Sequence, residues 1–375
     1  MEGRTFPGTS ADRGTLGSRG ATFRIRWDRA PPGYCHHQKC WIIDAGHPTE
    51  LAFVGGINLN SRSMVEPGHA GAWQTHDAYA ELAGPSATDV HHNFVQRWNE
   101  ASERGDPGGI WGHDGDDELS FPVGLSRNQG DSVVQVQRTI HSARYLCGHP
   151  SPGGKRYDIA NGERSILEQY RLAIRSARRS IYIENQAIGA LEIVTDLDKA
   201  LARGVSVVLL VPATPEAAVH EARGQSEYRA LFEGLAALGR HKNFTLAGIA
   251  GQDAEGRRHD IYVHAKIMLV DDTWATIGSC NLHRRSLEGH SELNLSVWDS
   301  KVARALRCEL LAEHLETDTT NMNDREALNV YRRIARNNRR RRDAGVVEWQ
   351  GLAFSLDPTD YPDGSNEQSL DRSAR

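Results

Sequence analysis

The chain has 375 residues, with 44 Lys plus Arg against 49 Asp plus Glu, a formal net charge of −5 and 39% hydrophobic residues. That length holds roughly two to three domains, or one large two-lobed unit with a sizeable core. The balanced charge excludes a protein that wraps polyanions over its whole surface, though local basic patches stay open. Five cysteines (Cys35, Cys40, Cys147, Cys280, Cys308) form no Cys-x-x-Cys pair and cannot all be bridged, which fits a reduced compartment. No secretory apolar region is visible at the N-terminus, and the longest apolar run, VSVVLLVP at 205–212, is too short to span a bilayer.

Residues 1–22 are rich in Gly, Arg, Ser and Thr without periodicity and read as a flexible tail. An N-terminal half follows at 23–103. Its pattern gives a strand FRIRW (23–27), a strand KCWIIDA, the turn GHPTE and a strand LAFVGG. A helix is expected over 84–102, where Val90, Phe94, Val95 and Trp98 share one face. The polar, glycine-rich stretch 104–131 reads as a linker.

Residues 132–318 form a C-terminal half in which strands and helices alternate. Strand SVVQVQRTI precedes helix SILEQYRLAIRSARR, strand SIYIEN, helix EIVTDLDKALARG and strand VSVVLLVPA. Helix SEYRALFEGLAALGR, strand FTLAGIA, strand IYVHAKIMLVD and a further hairpin complete it. Residues 319–375 read as a helical extension and tail. The expected class is α/β, with mixed, largely buried sheets covered by helices.

One pattern occurs twice. HQKCWIIDAGHPTELAFVGGIN (37–58) and HAKIMLVDDTWATIGSCN (264–281) both read His-x-Lys, four residues, Asp, a spacer, then Gly-[Gly/Ser]-x-Asn. Only six lysines occur in the chain, so two of them placed two residues after a histidine carry weight. The repeat runs further, since His76–Asp77 follows the first copy and Ser291–Glu292 the second. Duplication of a supersecondary unit implies two α/β/α lobes related by a pseudo-two-fold, with the motifs facing each other at the lobe interface.

On a strand, residues i and i+2 share a face, so His37 should project with Lys39 and His264 with Lys266. Asp44 and Asp271 complete the six-residue candidate catalytic set, but their odd spacing turns them away and points to structural duty at the strand ends. The Gly-[Gly/Ser]-x-Asn loops would bring the amides of Asn58 and Asn281 to the same pocket. Two imidazoles, two ammonium groups and two amides suit a phosphoryl group. Lysines and amides hold the non-bridging oxygens, one imidazole attacks phosphorus, and the other protonates the departing oxygen. Asp77 and Glu292 are placed to fix the histidine tautomers. Lysines stand where a metal often acts, so no metal or cofactor is expected and turnover should survive EDTA.

These residues are the duplicated His-x-Lys-x4-Asp signature, and the chain resembles the phospholipase D superfamily from about residue 23 to 360. The phrases FVGGIN, HDAYAELAGPSATDVHHNFVQRWNE, IYIENQ, YVHAKIMLVDD and GSCNLHRRSLEGHSELN are similar to the branch that cleaves phospholipid head groups. The resemblance implies a site between two α/β lobes, a phosphohistidine intermediate, and transfer of the phosphatidyl group to water or an alcohol. It implies His37 as nucleophile, His264 as acid and base, and Lys39, Lys266, Asn58, Asn281 and Ser279 at the phosphate.

Three features depart from that pattern. Only 36 residues precede His37, so the first lobe is expected to be incomplete and the chain N-terminally truncated. IENQ continues with Ala187–Ile188 instead of aromatics. Gly56 stands where the second copy has Ser279, which removes a hydroxyl donor.

The expected activity is a phosphodiesterase acting on glycerophospholipids. A cardiolipin synthase-like phosphatidyltransferase, a nuclease and an inactive lipid- or phosphate-binding relative are the alternatives. The expected partners are a phospholipid substrate and a membrane surface, with no nucleic acid, for a monomer that is cytoplasmic or peripheral to the membrane. Glu184 and Gln186 end a buried strand and read either as supports of the site, Glu184 orienting a histidine, or as local backbone partners. Cys35 and Cys40 read as small buried hydrophobes. RRIARNNRRRR (332–342) reads as a solvated basic helix end rather than a lipid contact. GHPSPGGKR (148–156) lacks phosphate-loop spacing.

Overall fold

The computed structural model describes residues 18, 20, 26, 28–72, 74–102 and 118–361. Apart from Arg26, the strand expected at 23–27 lies outside them, as do most of the N-terminal tail, residue 103 and residues 104–117 of the expected linker. The first half supplies β1 (Cys40–Ile43), β2 (Leu51–Gly55), β3 (Thr75–His76), β4 (Tyr79–Ala83) and α1 (Pro85–Asn99). Next come β5 (Val133–Ile140), β6 (Glu163–Arg164), α2 (Ser165–Ser176), β7 (Ser180–Asn185), β8 (Ile188–Gly189) and α3 (Leu191–Ala202). β9 (Ser206–Leu210), α4 (Ala217–Arg223), α5 (Arg229–Leu238), β10 (Phe244–Gln252), β11 (Arg258–Asp260) and β12 (Tyr262–Val263) follow. The chain then forms β13 (Lys266–Val270), β14 (Trp274–Gly278), β15 (Leu282–His283), α6 (Arg284–Glu288) and β16 (Glu292–Trp298). It closes with α7 (Ser300–Leu315), α8 (Asp324–Asp343) and β17 (Ala353–Ser355).

A ten-stranded mixed sheet in the order β11-β10-β9-β7-β13-β14-β16-β5-β6, with β17 added on β10, forms the centre. β7, β9 and β10 run parallel and the remaining neighbours antiparallel. Alternate residues of each central strand point to opposite faces. Ile181, Val207 and Leu209 enter a core with α2, α3 and α5, while Tyr182, Val208 and Leu210 enter one with α7 and α8. Both faces are covered, which is why SIYIEN and VSVVLLVP carry so little polar alternation. Polar residues close both ends of α8. Asn323 and Glu326 form a capping box on α8, and Arg340, Arg341 and Arg342 occupy its last turn, where cations complement the helix dipole.

β1, β2 and β4 form a separate antiparallel sheet in the order β1-β2-β4. It repeats the β13-β14-β16 arrangement, strand for strand and in the same sense. Ala52, Val54 and Leu82 of this smaller sheet share a core with Ala87 and Val90 of α1 and with Leu293 and Leu295 of β16. Helix α1 departs from expectation in detail. Val90 and Val95 are buried, yet Phe94 is exposed and stacks on Trp98, with ring centroids 6.1 Å apart. The buried face holds Asn93 and Gln96 instead, because Gln38 and Arg138 supply their hydrogen bonds, at 3.1 and 2.7 Å. Cys35 is exposed and Cys40 half-buried, so burial of both is not found.

The motif aspartates sit at strand ends, which corrects their place in the candidate catalytic set. Asp44 (φ 53°) is exposed, and its carboxylate accepts from Thr49 Oγ1 at 2.8 Å. Asp271 (φ 55°) accepts the backbone N–H groups of Arg178, Arg179 and Ser180 at 2.8, 2.7 and 2.9 Å, tying the end of β13 to the start of β7. It lies five residues beyond Lys266, roughly 16 Å along an extended strand, too far for the same chemistry. Asp271→Ala orphans three backbone donors and should destabilise the fold by about 2–4 kcal/mol, against under about 1 for Asp44→Ala. Urea midpoints of the two variants check this; equal shifts would contradict it.

Candidate active site

The two halves exchange strands where the histidines lie. His37 N donates to Ser291 O (2.9 Å), and Ser291 N donates to Cys35 O (3.1 Å). In the other half β12 pairs with β3, and the N–H groups of His264 and Ala265 both reach His76 O, at 2.8 and 3.0 Å. Two residues thus oppose one, as in a β-bulge. The single strand expected over IYVHAKIMLVD is therefore broken at His264 and Ala265. The Lys266 ammonium folds back on the His264 carbonyl, and the Lys39 ammonium on the His37 carbonyl at 2.8 Å.

Each histidine meets the acid of the opposite half. His37 Nδ1 bonds Glu292 Oε2 at 2.9 Å, and His264 Nδ1 bonds Asp77 Oδ2 at 2.5 Å. A carboxylate accepts, so Nδ1 carries the proton in both rings and Nε2 is the nitrogen left for a reacting group. Burial lowers the His264 pKa, opposed by Asp77 and reinforced by Lys266 and Lys39. Glu292 is fully buried; burial alone would raise its pKa, but His37, Ser279 and Ser286 hold it below the usual range. Burial also lowers both lysines, Lys266 to about 7, with Asp77 and Glu292 acting on each in the opposite direction. Lys39, Lys266 and both acids thus share one electrostatic environment drawn from the two halves.

The remaining candidates divide. Asn281 is buried and donates to Gln186 Oε1 at 3.4 Å, while its own Oδ1 has no partner among the described residues. Asn58, its first-copy counterpart, is exposed. Ser279 is buried with its hydroxyl donated to Glu292 Oε2 at 2.6 Å, so its one proton is already used and it supports the carboxylate rather than a phosphate. Glu184 does orient a histidine, but His76 (2.8 Å) rather than either motif histidine. Of the two readings open for Gln186, the structure gives support of the site, and Ser286 is a contributor the sequence reading did not assign. Gln186 accepts from Lys266 Nζ at 3.0 Å and bonds the Tyr262 hydroxyl at 2.8 Å; its place in IENQ was the available signal. Ser286 donates to Glu292 Oε1 at 2.6 Å; it lies within GSCNLHRRSLEGHSELN, but no spacing or periodicity there gives it a role.

Gly56 reads differently in three dimensions. A Cβ there would stand 2.3 Å from Asp77 Oδ1. The missing serine is therefore not a lost donor but the space that Asp77 occupies. Gly56→Ser should displace Asp77 and cut any turnover about 10- to 100-fold, whereas the lost-donor view expects a gain. Rates of the purified variant at equal folded fraction decide between them.

Fold and site together define a duplicated α/β protein in which each half completes the histidine centre of the other. Residues 64–205 match the family model described as "Phospholipase D", and residues 170–313 match "Cardiolipin synthase, PLD-like domain". The chain belongs to the phospholipase D superfamily. It is 26% identical to phospholipase D gamma 2 of Arabidopsis thaliana, over 85% of this chain and 52% of that protein. It is 23% identical to cardiolipin synthase 1 of Bacillus cereus, over 82% and 52%. The chain thus spans about half the length of these curated relatives. Among solved structures, the phospholipase D family member Nuc from Salmonella typhimurium is 21% identical with a TM-score of 0.31, covering 47% of this chain and 90% of that one. Among the described residues, no helix is long and apolar enough to cross a membrane.

Proposed function

We propose that the chain is a phospholipase D-type phosphodiesterase. It would cleave the distal phosphodiester of a glycerophospholipid to phosphatidic acid and the head-group alcohol, and pass the phosphatidyl group to alcohols as well. The crossed pairs His37–Glu292 and His264–Asp77, with Lys39 and Lys266 beside them, carry this reading. Lysine ammonium groups neutralise the non-bridging oxygens, and the Asn281 amide NH2 donates a hydrogen bond to them. His37 Nε2 attacks phosphorus as the bond to the head-group oxygen breaks, and His264 gives that oxygen its proton. Neutral His264 then takes a proton from water or an alcohol, whose oxygen attacks phosphorus and releases His37. Burial, reinforced by Lys266 and Lys39, disfavours a charged His264, and the charge of an anionic substrate opposes that, so the phosphodiester itself favours the protonated ring.

One feature favours the reverse roles: burial lowers the His264 pKa, which favours the neutral ring that a nucleophile needs. Peptide mapping of the acid-quenched phosphohistidine decides which ring is modified. The activity itself is tested with phosphatidylcholine vesicles containing ethanol. Choline and phosphatidylethanol should both appear; lipid binding without either product would leave only an inactive relative. The match to a cardiolipin synthase model favours a further acceptor, the glycerol hydroxyl of phosphatidylglycerol, testable in the same assay.

A further inference from the structure

Behind Asp77 lies a buried polar cluster that the proposed chemistry does not use. His76 Nε2 meets Glu184 Oε2 at 2.8 Å, and His76 Nδ1 meets His69 Nε2 at 2.9 Å. The Tyr182 hydroxyl donates to Glu184 Oε1 at 2.6 Å and lies 3.0 Å from His314 Nδ1. His76 is 5% exposed, and Glu184 and His314 are 0%. The residue types suit a metal, but the spacing does not. Ligands 2.0–2.2 Å from a tetrahedral zinc stand about 3.3 Å apart, whereas 2.6 and 2.8 Å are hydrogen-bond lengths. His314 Nδ1 is 4.0 Å from Glu184, with the tyrosine hydroxyl against it.

We infer that His76 and Glu184 form a buried imidazolium–carboxylate pair that acts as a positioning device for His264. The geometry gives the pair its leverage. The His76 carbonyl holds the backbone of His264 and Ala265, and the next residue, Asp77, holds the His264 ring. The His76 ring is meanwhile fixed to β7 of the other half through Glu184, so one residue ties backbone, ring partner and opposite lobe together. Burial alone would neutralise both groups, yet each partner overrides it: the His76 pKa is raised and that of Glu184 held at about 2. The His37 side has a lighter brace. Ser291, in the place of His76, offers its carbonyl to His37 N at 2.9 Å and its hydroxyl to His36 at 2.8 Å. His36 Nε2 in turn lies 3.1 Å from Asp28 Oδ2, but burial lowers the His36 pKa to about 4, so an imidazolium–carboxylate brace serves one histidine of the two.

The test uses Glu184→Gln, which keeps the side-chain shape and removes the charge, with His76→Gln as the second variant. The readouts are the His264 Nδ1–H proton, which the 2.5 Å bond to Asp77 should deshield strongly and which is assigned by its loss in His264→Ala, sulfate affinity, and turnover of phosphatidylcholine. We expect that proton to move upfield or vanish in both variants, kcat to fall about 10- to 100-fold, and sulfate affinity to stay within about 3-fold. An unmoved resonance, a joint loss of kcat and sulfate binding, or stoichiometric zinc in the purified protein would overturn the inference. Only the rate arm rests on the phosphodiesterase reading. If the wild-type protein turns over no phospholipid, that reading falls, while the resonance still decides this one.

Discussion

His264→Ala and His37→Ala should each lower choline release from phosphatidylcholine by at least about 10⁴-fold, a barrier increase of about 5.5 kcal/mol. A nucleophile and its acid act as a unit, so the double variant should be scarcely worse than either single one. Steady-state rates and the acid-quenched phosphohistidine are the measurements. Loss of the nucleophile abolishes the adduct. Loss of the acid spares the adduct for substrates whose leaving group needs no proton, such as a p-nitrophenyl ester. Asp77→Asn and Glu292→Gln keep the shapes but weaken each ring's hold, and should fall between wild type and the alanine variants. An alanine variant within tenfold of wild type would end the paired-histidine mechanism.

Lys266→Met is expected to trade binding for stability. Burial brings Lys266 to about 7, far below its value in the unfolded chain, and its hydrogen bonds go to neutral oxygens of His264 and Gln186. Below about pH 7 the ammonium is charged in both states and its burial penalty is felt in full. As pH rises from about 7 toward the unfolded value, the unfolded chain binds more protons and stability rises. Methionine removes the penalty, so the variant should be about 1–4 kcal/mol more stable at pH 6, with the advantage shrinking toward pH 10. Anion binding runs the other way. Sulfate keeps its charge across this range, so its affinity should weaken between pH 7 and 9 in the wild type as Lys266 loses its proton. In Lys266→Met, affinity should drop about 10- to 100-fold at pH 6 and lose that dependence. Calorimetric titration with sulfate and urea unfolding at pH 6 and 9 are the two checks. A variant that is less stable at pH 6 would show that the ammonium is satisfied in the folded state.

Much of the site was legible because the duplication is written in spacing. Two His-x-Lys pairs, two glycine–asparagine loops and two following acids announce a pseudo-two-fold, and the acids do pair with histidines. The strand-period argument reached a sound grouping by the wrong route. His264 and Lys266 are not on one continuous strand; they straddle a bulge made by a single carbonyl of the other half. Periodicity describes one element at a time and cannot register a partner more than a hundred residues away.

The two glutamates show the same limit. Glu184 and Glu292 are both fully buried strand residues, and only the fold separates the one that meets His37 from the one that meets His76. Gly56 and Ser279 occupy equivalent positions, yet one makes room for a carboxylate and the other hydrogen-bonds one. By itself, the sequence determined the alternating α/β layers, the repeat and the residues able to handle a phosphoryl group, since side-chain type and local period are properties of neighbouring positions. Tertiary structure alone decided that the acids cross between halves, that the motif aspartates serve strand ends, and that His76 braces His264. Those outcomes depend on which backbone groups and charges meet across the lobe boundary, where burial makes each unpaired group costly.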